Sequence, residues 1–506
     1  MKSLINRRRF LSSTAAAAGA FTFVPRHVLG GAGFVAPNDK IALAHIGMGT
    51  QGFAELGSLL EDPRIQIVAV CDPNRDSNDY IEWGQHSIRN RIRSYLGNNT
   101  WREGATGCPG GREVGREVVE TWYSNQRGAP FRGCSTYIDF RELLEKEQEL
   151  DAVKVMTPDH LHATVAIAAM RRGRHVLMHK PIANRLAEGR LVLETARETG
   201  VATHLLAYGS GPENGRIVQR IQEGVVGSLR EIHNWSNRPV WPQYTAIPKD
   251  QPPVPKDFEW DLWLGPERQR PYHPHYTHTV FRGWYDFGGG SMADMGIYSL
   301  WPVFEGLRLD APLSAEAWAS HTCEIVGNVS RPTRNDFAYP AACSIRFRFA
   351  AGPNRPALDL FWYDGGMKPR LPAELEAHDL TLTPEGILFV GDRGCILAGF
   401  QGQNPRLFVQ GENRALELDA PSPGGARPAR GERSSPWVTA CQGGEPSPGS
   451  FLNAAAITDA VNLGTVALRA GKRVLFDSAA MRITIAPEAS RFLVRDYRPG
   501  WELSAA

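Results

Sequence analysis

Short apolar runs alternate with helix-spaced segments over the first two hundred residues. Ile41 to Ile46 read as a strand buried on both faces, Phe53 to Leu60 carry helical spacing, and Ile65 to Cys71 form a second apolar run that stops at Asp72. The rhythm breaks at residues 84–134, rich in Arg, Gly and Glu, which read as a partly helical insertion. It resumes with a helix over 138–148, a strand over 151–158 and a helix from about 159. The strand of "HVLMHKP", a helix over 184–199 and a strand over 201–207 complete it. Strands that alternate with helices predict a parallel sheet covered on both faces.

From about residue 208 the pattern changes to longer loops and strands of period two. In "CSIRFRFA", Ile345, Phe347 and Phe349 alternate with Ser344, Arg346 and Arg348, which suits a sheet buried on one face. "LDLFWYDGG" is another strand, and 419–436 read as a surface loop. The division expected is therefore a leader over 1–36, a first domain over 37–207 and a second over 208–506.

Composition narrows the class. With 506 residues, 42% hydrophobic and 22% charged, the chain can bury a large core. No stretch supplies the roughly 20 uninterrupted apolar residues of a membrane span. Lys2, Arg7, Arg8, Arg9 and Arg26 are unopposed by acids in the leader, and setting them aside takes the net charge from +2 to −3. The body thus has no basic excess to hold nucleic acid. "RRRFLSS" followed by small and apolar residues resembles a twin-arginine export signal, which predicts a periplasmic or otherwise exported protein. The seven cysteines contain no C-x-x-C pair, so neither a zinc ribbon nor a disulfide scaffold is indicated. Cys108 and Cys134 either pair after export or stay free.

The candidate chemistry lies where strands end. Gly47-Met48-Gly49-Thr50-Gln51-Gly52 fits G-x-G-x-x-G between a strand and a helix. The first glycine permits a tight turn, the second lets backbone approach a pyrophosphate, and the third lets helix pack on strand. Asp72 stands where an acid binds the adenosine ribose, which favours NAD; Arg75 beside it keeps NADP open. Thr157-Pro158 and His179-Lys180 end two further strands on the same edge, where ligands of such sheets sit. His160 and His162 open the next helix, either as contacts to cofactor or substrate or as a cap and a solvated side chain.

With these residues in place, the chain resembles the Gfo/Idh/MocA oxidoreductases, the family of glucose–fructose oxidoreductase and inositol dehydrogenase. The matching stretches are AHIGMGTQG, VAVCD, TPDHLHATVAIAAMRRGRHVLMHKP and DFGGGSMADMGIY, with GILFVGDRGCILAG and AAAITDAVNLGTVALRAGKRVLFD later. The resemblance implies an α/β chain: an N-terminal Rossmann domain, then a C-terminal α/β domain whose open, mainly antiparallel sheet often makes homo-oligomer contacts. It implies Lys180 as a catalytic residue from the family's Glu-Lys-Pro triplet, with His179 in place of the glutamate. It also implies Asp294 from Asp-x-Gly-x-His, with Tyr298 in place of the histidine. Tyrosine ordinarily titrates near 10, so Tyr298 needs a cation such as Lys180 beside it to act as a base.

"YHPHYTHTVFRGWYDFGGG" places His273, His275 and His278 close together. No metalloenzyme spacing surrounds them, so no metal is expected, and the stretch reads as a polar, aromatic loop over the substrate cleft. His278 and Arg282 suit hydroxyl groups there; Trp284 and Tyr285 suit either a sugar face or the core. The leading expectation is an NAD(P)-dependent oxidoreductase acting on a sugar, cyclitol or glycoside with a tightly held cofactor. The alternatives are a glycoside hydrolase or lyase that oxidises its substrate transiently, and a nucleotide-stabilised binding protein without turnover.

Overall fold

The computed structural model describes residues 39–333, 335–353, 355–418 and 435–503. The twin-arginine segment and most of the 419–436 loop lie outside them.

The five apolar runs and a short sixth strand that the pattern does not announce form one parallel sheet. β1 (Ile41–Ile46) lies beside β2 (Ile65–Cys71), and β5 (Ser135–Tyr137) follows outward on that side. On the other side of β1 come β6 (Ala152–Val155), β7 (His175–Met178) and β8 (Thr203–Leu205). Every neighbouring pair is parallel. The order reverses between β1 and β6, so a crevice opens beyond their carboxyl ends. β3 (Ser77–Tyr80), just before the insertion, and β4 (Cys108–Gly110), within it, make a small antiparallel ribbon. Helices Ser87–Leu96 and Arg112–Arg127 bury Ile92, Val118 and Val119 against Phe53 and Leu56. Cys108 and Cys134 are both free and buried.

The second domain is a ten-stranded mixed sheet. Its centre, β9 (Leu229–Trp235), pairs antiparallel with the strand Gly386–Gly391 and parallel with the strand Leu358–Tyr363. The parallel pair departs from an all-antiparallel ladder, because Leu358–Tyr363 comes more than a hundred residues after β9, with other strands between them. In the strand Cys343–Phe349, Ile345, Phe347 and Phe349 are buried and Arg348 is exposed. That apolar face shares one core with helices Asp159–Met170 and Leu186–Thr199 of the first domain, which seats the second sheet against the edge of the first. Phe451–Ala470 is apolar and long enough to cross a membrane, yet 67% of it is buried inside the fold.

Candidate active site

The glycine loop is shaped by sterics. Gly47 has φ +99°, and a Cβ there would lie 2.5 Å from the Met156 carbonyl oxygen. A Cβ on Gly52 would lie 2.5 Å from the Gly47 oxygen, so β1 and helix Thr50–Leu60 pack as closely as they do only with glycine at both positions. No side chain caps that helix at Gly49. Its first-turn amides therefore face the cleft with the positive end of the helix dipole behind them, which suits an anionic pyrophosphate. The cleft runs from Gly47, Gly49, Thr50 and Gln51 past Thr157 and Pro158 to His179 and Arg282.

Asp72 is buried at the cleft's far end. Its carboxylate accepts from the Met48 amide at 2.7 Å, the Asn74 amide at 2.8 Å and the Tyr80 hydroxyl at 3.4 Å. Burial pushes this carboxyl up to about 6, against the pull of the two amides. Ribose hydroxyls need the ionised, acceptor form. NAD affinity is therefore expected to fall as pH drops through about 6, and Asp72→Asn should flatten the dependence. Titration calorimetry checks this; an affinity that holds steady through that range would remove Asp72 from the ribose site. Arg75 stands outside the cleft, 3.9 Å from Asp257.

Lys180 and Asp294 come from the two domains and meet in the interior. Lys180 is 4% exposed. Its Nζ donates to Asp294 Oδ1 at 2.8 Å and to the Asp294 carbonyl oxygen. Met292–Gly296 is a π-helical turn, whose extra residue takes one carbonyl out of the regular helical ladder. Arg282 Nε lies 3.2 Å and Arg238 Nε 3.4 Å from the same carboxylate. Burial pushes Asp294 up, but Lys180 and Arg282 outweigh it and hold the acid well below its ordinary value. For Lys180 burial outweighs the carboxylate, so its pKa is lowered.

Tyr298 follows one turn after Asp294. Lys180 Nζ sits 4.9 Å from the centre of its ring. The Tyr298 hydroxyl is 3.2 Å from His179 Nε2, which is 3.5 Å from Glu55 Oε1. Glu55 Oε2 in turn lies 3.3 Å from Lys154 Nζ. Glu55, Lys154 and Arg238 were not singled out from the sequence. Only Lys154 carried a signal there, as a charge in the middle of the apolar run "DAVKVMTP".

Four expected contacts are not made. His160 is fully buried, with Nε2 2.9 Å from the Trp263 carbonyl and its ring against Phe287. His162 bridges the Pro181 and Thr157 carbonyls at 2.6 and 2.9 Å, so it braces two strand ends and does not line the cleft. Trp284 is 1% exposed, stacks on Tyr244 and donates to the His275 carbonyl. Tyr285 packs on Tyr339. Both aromatics are core, because the loop's apolar faces close on each other and leave its polar side chains to the cleft. His278 does line the cleft, with its ring 4.2 Å from that of Tyr80. His273 approaches Asp250 at 3.3 Å, and among the described residues no three His, Cys, Asp or Glu side chains converge on one point.

A parallel sheet with a glycine-loop crevice, joined to a mixed-sheet domain whose π-helical turn brings Asp294 to Lys180, defines a two-domain dinucleotide-binding protein. Models of one oxidoreductase family match both halves: its NAD-binding Rossmann fold over residues 114–206 and its C-terminal alpha/beta domain over 225–347. Both halves of the chain are thus similar to that family, Gfo/Idh/MocA. The levoglucosan dehydrogenase of Pseudarthrobacter phenanthrenivorans is 28% identical over 21% of this chain and 28% of its own length. A glycosyl hydrolase family 109 protein of Shewanella baltica is 22% identical over 44% of each chain. The matches thus span less than half of either curated relative. The solved WlbA dehydrogenase of Bordetella pertussis, in complex with NADH and UDP-GlcNAcA, is 14% identical with a TM-score of 0.51. That match covers 87% of this chain and 99% of the other, and it shows the fold.

Proposed function

We propose that the protein is an NAD(P)-linked oxidoreductase acting on a hydroxyl or carbonyl of a sugar, cyclitol or glycoside. The carrying observation is the Lys180–Asp294 contact of 2.8 Å, made between the domains beside the cleft of the glycine loop. When bound, the nicotinamide supplies the hydride exchange. First-turn amides of helix Thr50–Leu60 hold the pyrophosphate, and Asp72 accepts from the ribose. An ammonium has three donors. Asp294 takes two of those on Lys180, leaving a third for the substrate oxygen. Tyr298 handles the substrate proton, and Arg282 keeps Asp294 in place. Partial likeness to a sugar dehydrogenase supports the substrate class.

A second reading is transient oxidation that ends in bond cleavage and reduction of the product. The partial likeness to a glycosyl hydrolase favours it. Release of an aglycone without net accumulation of reduced nicotinamide would select it over the first.

Both readings include a cofactor that stays bound and a protein exported through the segment at Arg7-Arg8, where no NAD(P) pool can be assumed. The segment that leads into the insertion supports retention. The Ile81 carbonyl accepts from Thr50 Oγ1 at 2.7 Å and from Thr279 Oγ1 at 3.1 Å, which ties that segment to both domains across the glycine loop. Each such bond contributes about 1 kcal/mol, and release has to break both. Full-length protein recovered from the exported fraction is expected to carry nucleotide through dialysis, and to reduce it when given a substrate from a sugar panel. Protein that emerges free of nucleotide would sink retention; a cytoplasmic chain indifferent to Arg7→Lys/Arg8→Lys would sink export. Self-association through the C-terminal sheet belongs to the same reading, and a monomer in sedimentation would remove it.

A further inference from the structure

Lys154 is 1% exposed in β6, a strand covered on both faces. A buried ion pair seldom repays its desolvation, so stability gives little reason to keep a lysine there. Its partner is Glu55, one turn into the helix of the glycine loop, and the carboxylate of Glu55 ends on His179. The two departures from the family's motifs also meet here: His179 stands where a glutamate is usual, Tyr298 where a histidine is usual, and the two are 3.2 Å apart.

The protonation states follow from what surrounds each group. Burial pushes Glu55 up, but Lys154 and His179 outweigh it and hold the acid at about 2. The Gln51 amide donates to it as well, at 2.8 Å. Burial pushes His179 down to about 3, against Glu55 and with Lys180, Arg282 and His162. At neutral pH the site therefore pairs a carboxylate with a neutral imidazole. A carboxylate only accepts, so Glu55, 3.5 Å away, favours a hydrogen on the His179 nitrogen that faces it. That nitrogen is also the one facing the Tyr298 oxygen. A donor on a phenol oxygen favours the tyrosinate, and the Lys180 cation beside the ring acts in the same direction.

We propose that Glu55, held by Lys154, is a positioning residue that fixes His179 in its Nε2–H tautomer, so that His179 donates to the Tyr298 oxygen and readies Tyr298 as the base for the substrate hydroxyl. In oxidation the hydroxyl proton passes to the Tyr298 oxygen; in reduction it returns to the substrate. The proposal rests on the oxidoreductase reading for its substrate, while the tautomer does not depend on it.

The test uses nucleotide-bound protein labelled with ¹⁵N-histidine, the His179 signals being assigned by their loss in His179→Gln. Nε2 should show a pyrrole-type shift in the wild type and a pyridine-type shift in Glu55→Gln, whose amide can donate to that nitrogen. The tyrosine whose ultraviolet titration disappears in Tyr298→Phe should titrate about one unit or more higher in Glu55→Gln. The basic side of the kcat/KM profile should move with it. A pyridine-type Nε2 in the wild type would overturn the proposal, and that result needs no variant of Glu55 to fold. So would a Tyr298 titration that Glu55→Gln leaves unmoved. Should no sugar reduce the bound nicotinamide while the spectra behave as stated, the oxidoreductase reading fails and the tautomer assignment stands.

Discussion

Lys180→Ala is expected to lower turnover by roughly 10²–10⁴-fold, the usual span for a lost acid–base or proton-holding group. The fold should survive. Asp294 keeps Arg282 at 3.2 Å and Arg238 at 3.4 Å, so its carboxylate is still paired after the lysine is gone. The glycine loop and Asp72 lie elsewhere in the cleft, so bound nucleotide should be retained. The measurement is single-turnover reduction of the bound nicotinamide by a substrate sugar, beside a nucleotide assay of the same sample. A variant that holds its cofactor and reduces it at close to the wild-type rate would return Lys180 to the status of a strand cap.

Asp294→Ala should act first on stability. It leaves Lys180, 4% exposed, beside two arginines without its paired carboxylate, Asp159 acting on it more weakly. Breaking a buried pair from one side costs about 3–5 kcal/mol. The pH dependence has a definite sign. In the wild type Asp294 is held below its ordinary 3.8, so its contribution is complete above that value and drains away only as pH falls beneath it. In the variant the stranded lysine relieves itself by losing its proton, so the deficit should shrink as pH rises. Urea midpoints at several pH values would show this. A loss below about 1 kcal/mol at neutral pH would mean that water already screens the cluster.

Reading the chain alone went furthest where the physics is local. G-x-G-x-x-G between β1 and helix Thr50–Leu60 is set by steric limits within a few residues, and the structure puts both turn glycines where a Cβ would collide. The parallel sheet follows from apolar runs too long to be buried on one face only. Asp294 was reached through a motif, but its motif does not say that it would grip Lys180 from another domain, 114 residues away.

Side-chain direction was not legible. Trp284 and Tyr285 share a loop with His278 and Arg282, and nothing within that loop distinguishes a sugar platform from a core residue. His160 and His162 open the helix at the right edge of the sheet, yet one faces the second domain's aromatics and the other braces β6 against β7. Glu55 looks like a solvated helix residue until Lys154, 99 positions later, is found beneath it. The sequence by itself determined the two domains, the nucleotide crevice and the strand ends that border it, because periodicity and turn sterics act between near neighbours. Only the tertiary structure decided which side chains share that crevice. Burial and charge pairing depend on segments a hundred or more residues apart, and those meet only once both sheets have packed on their common core.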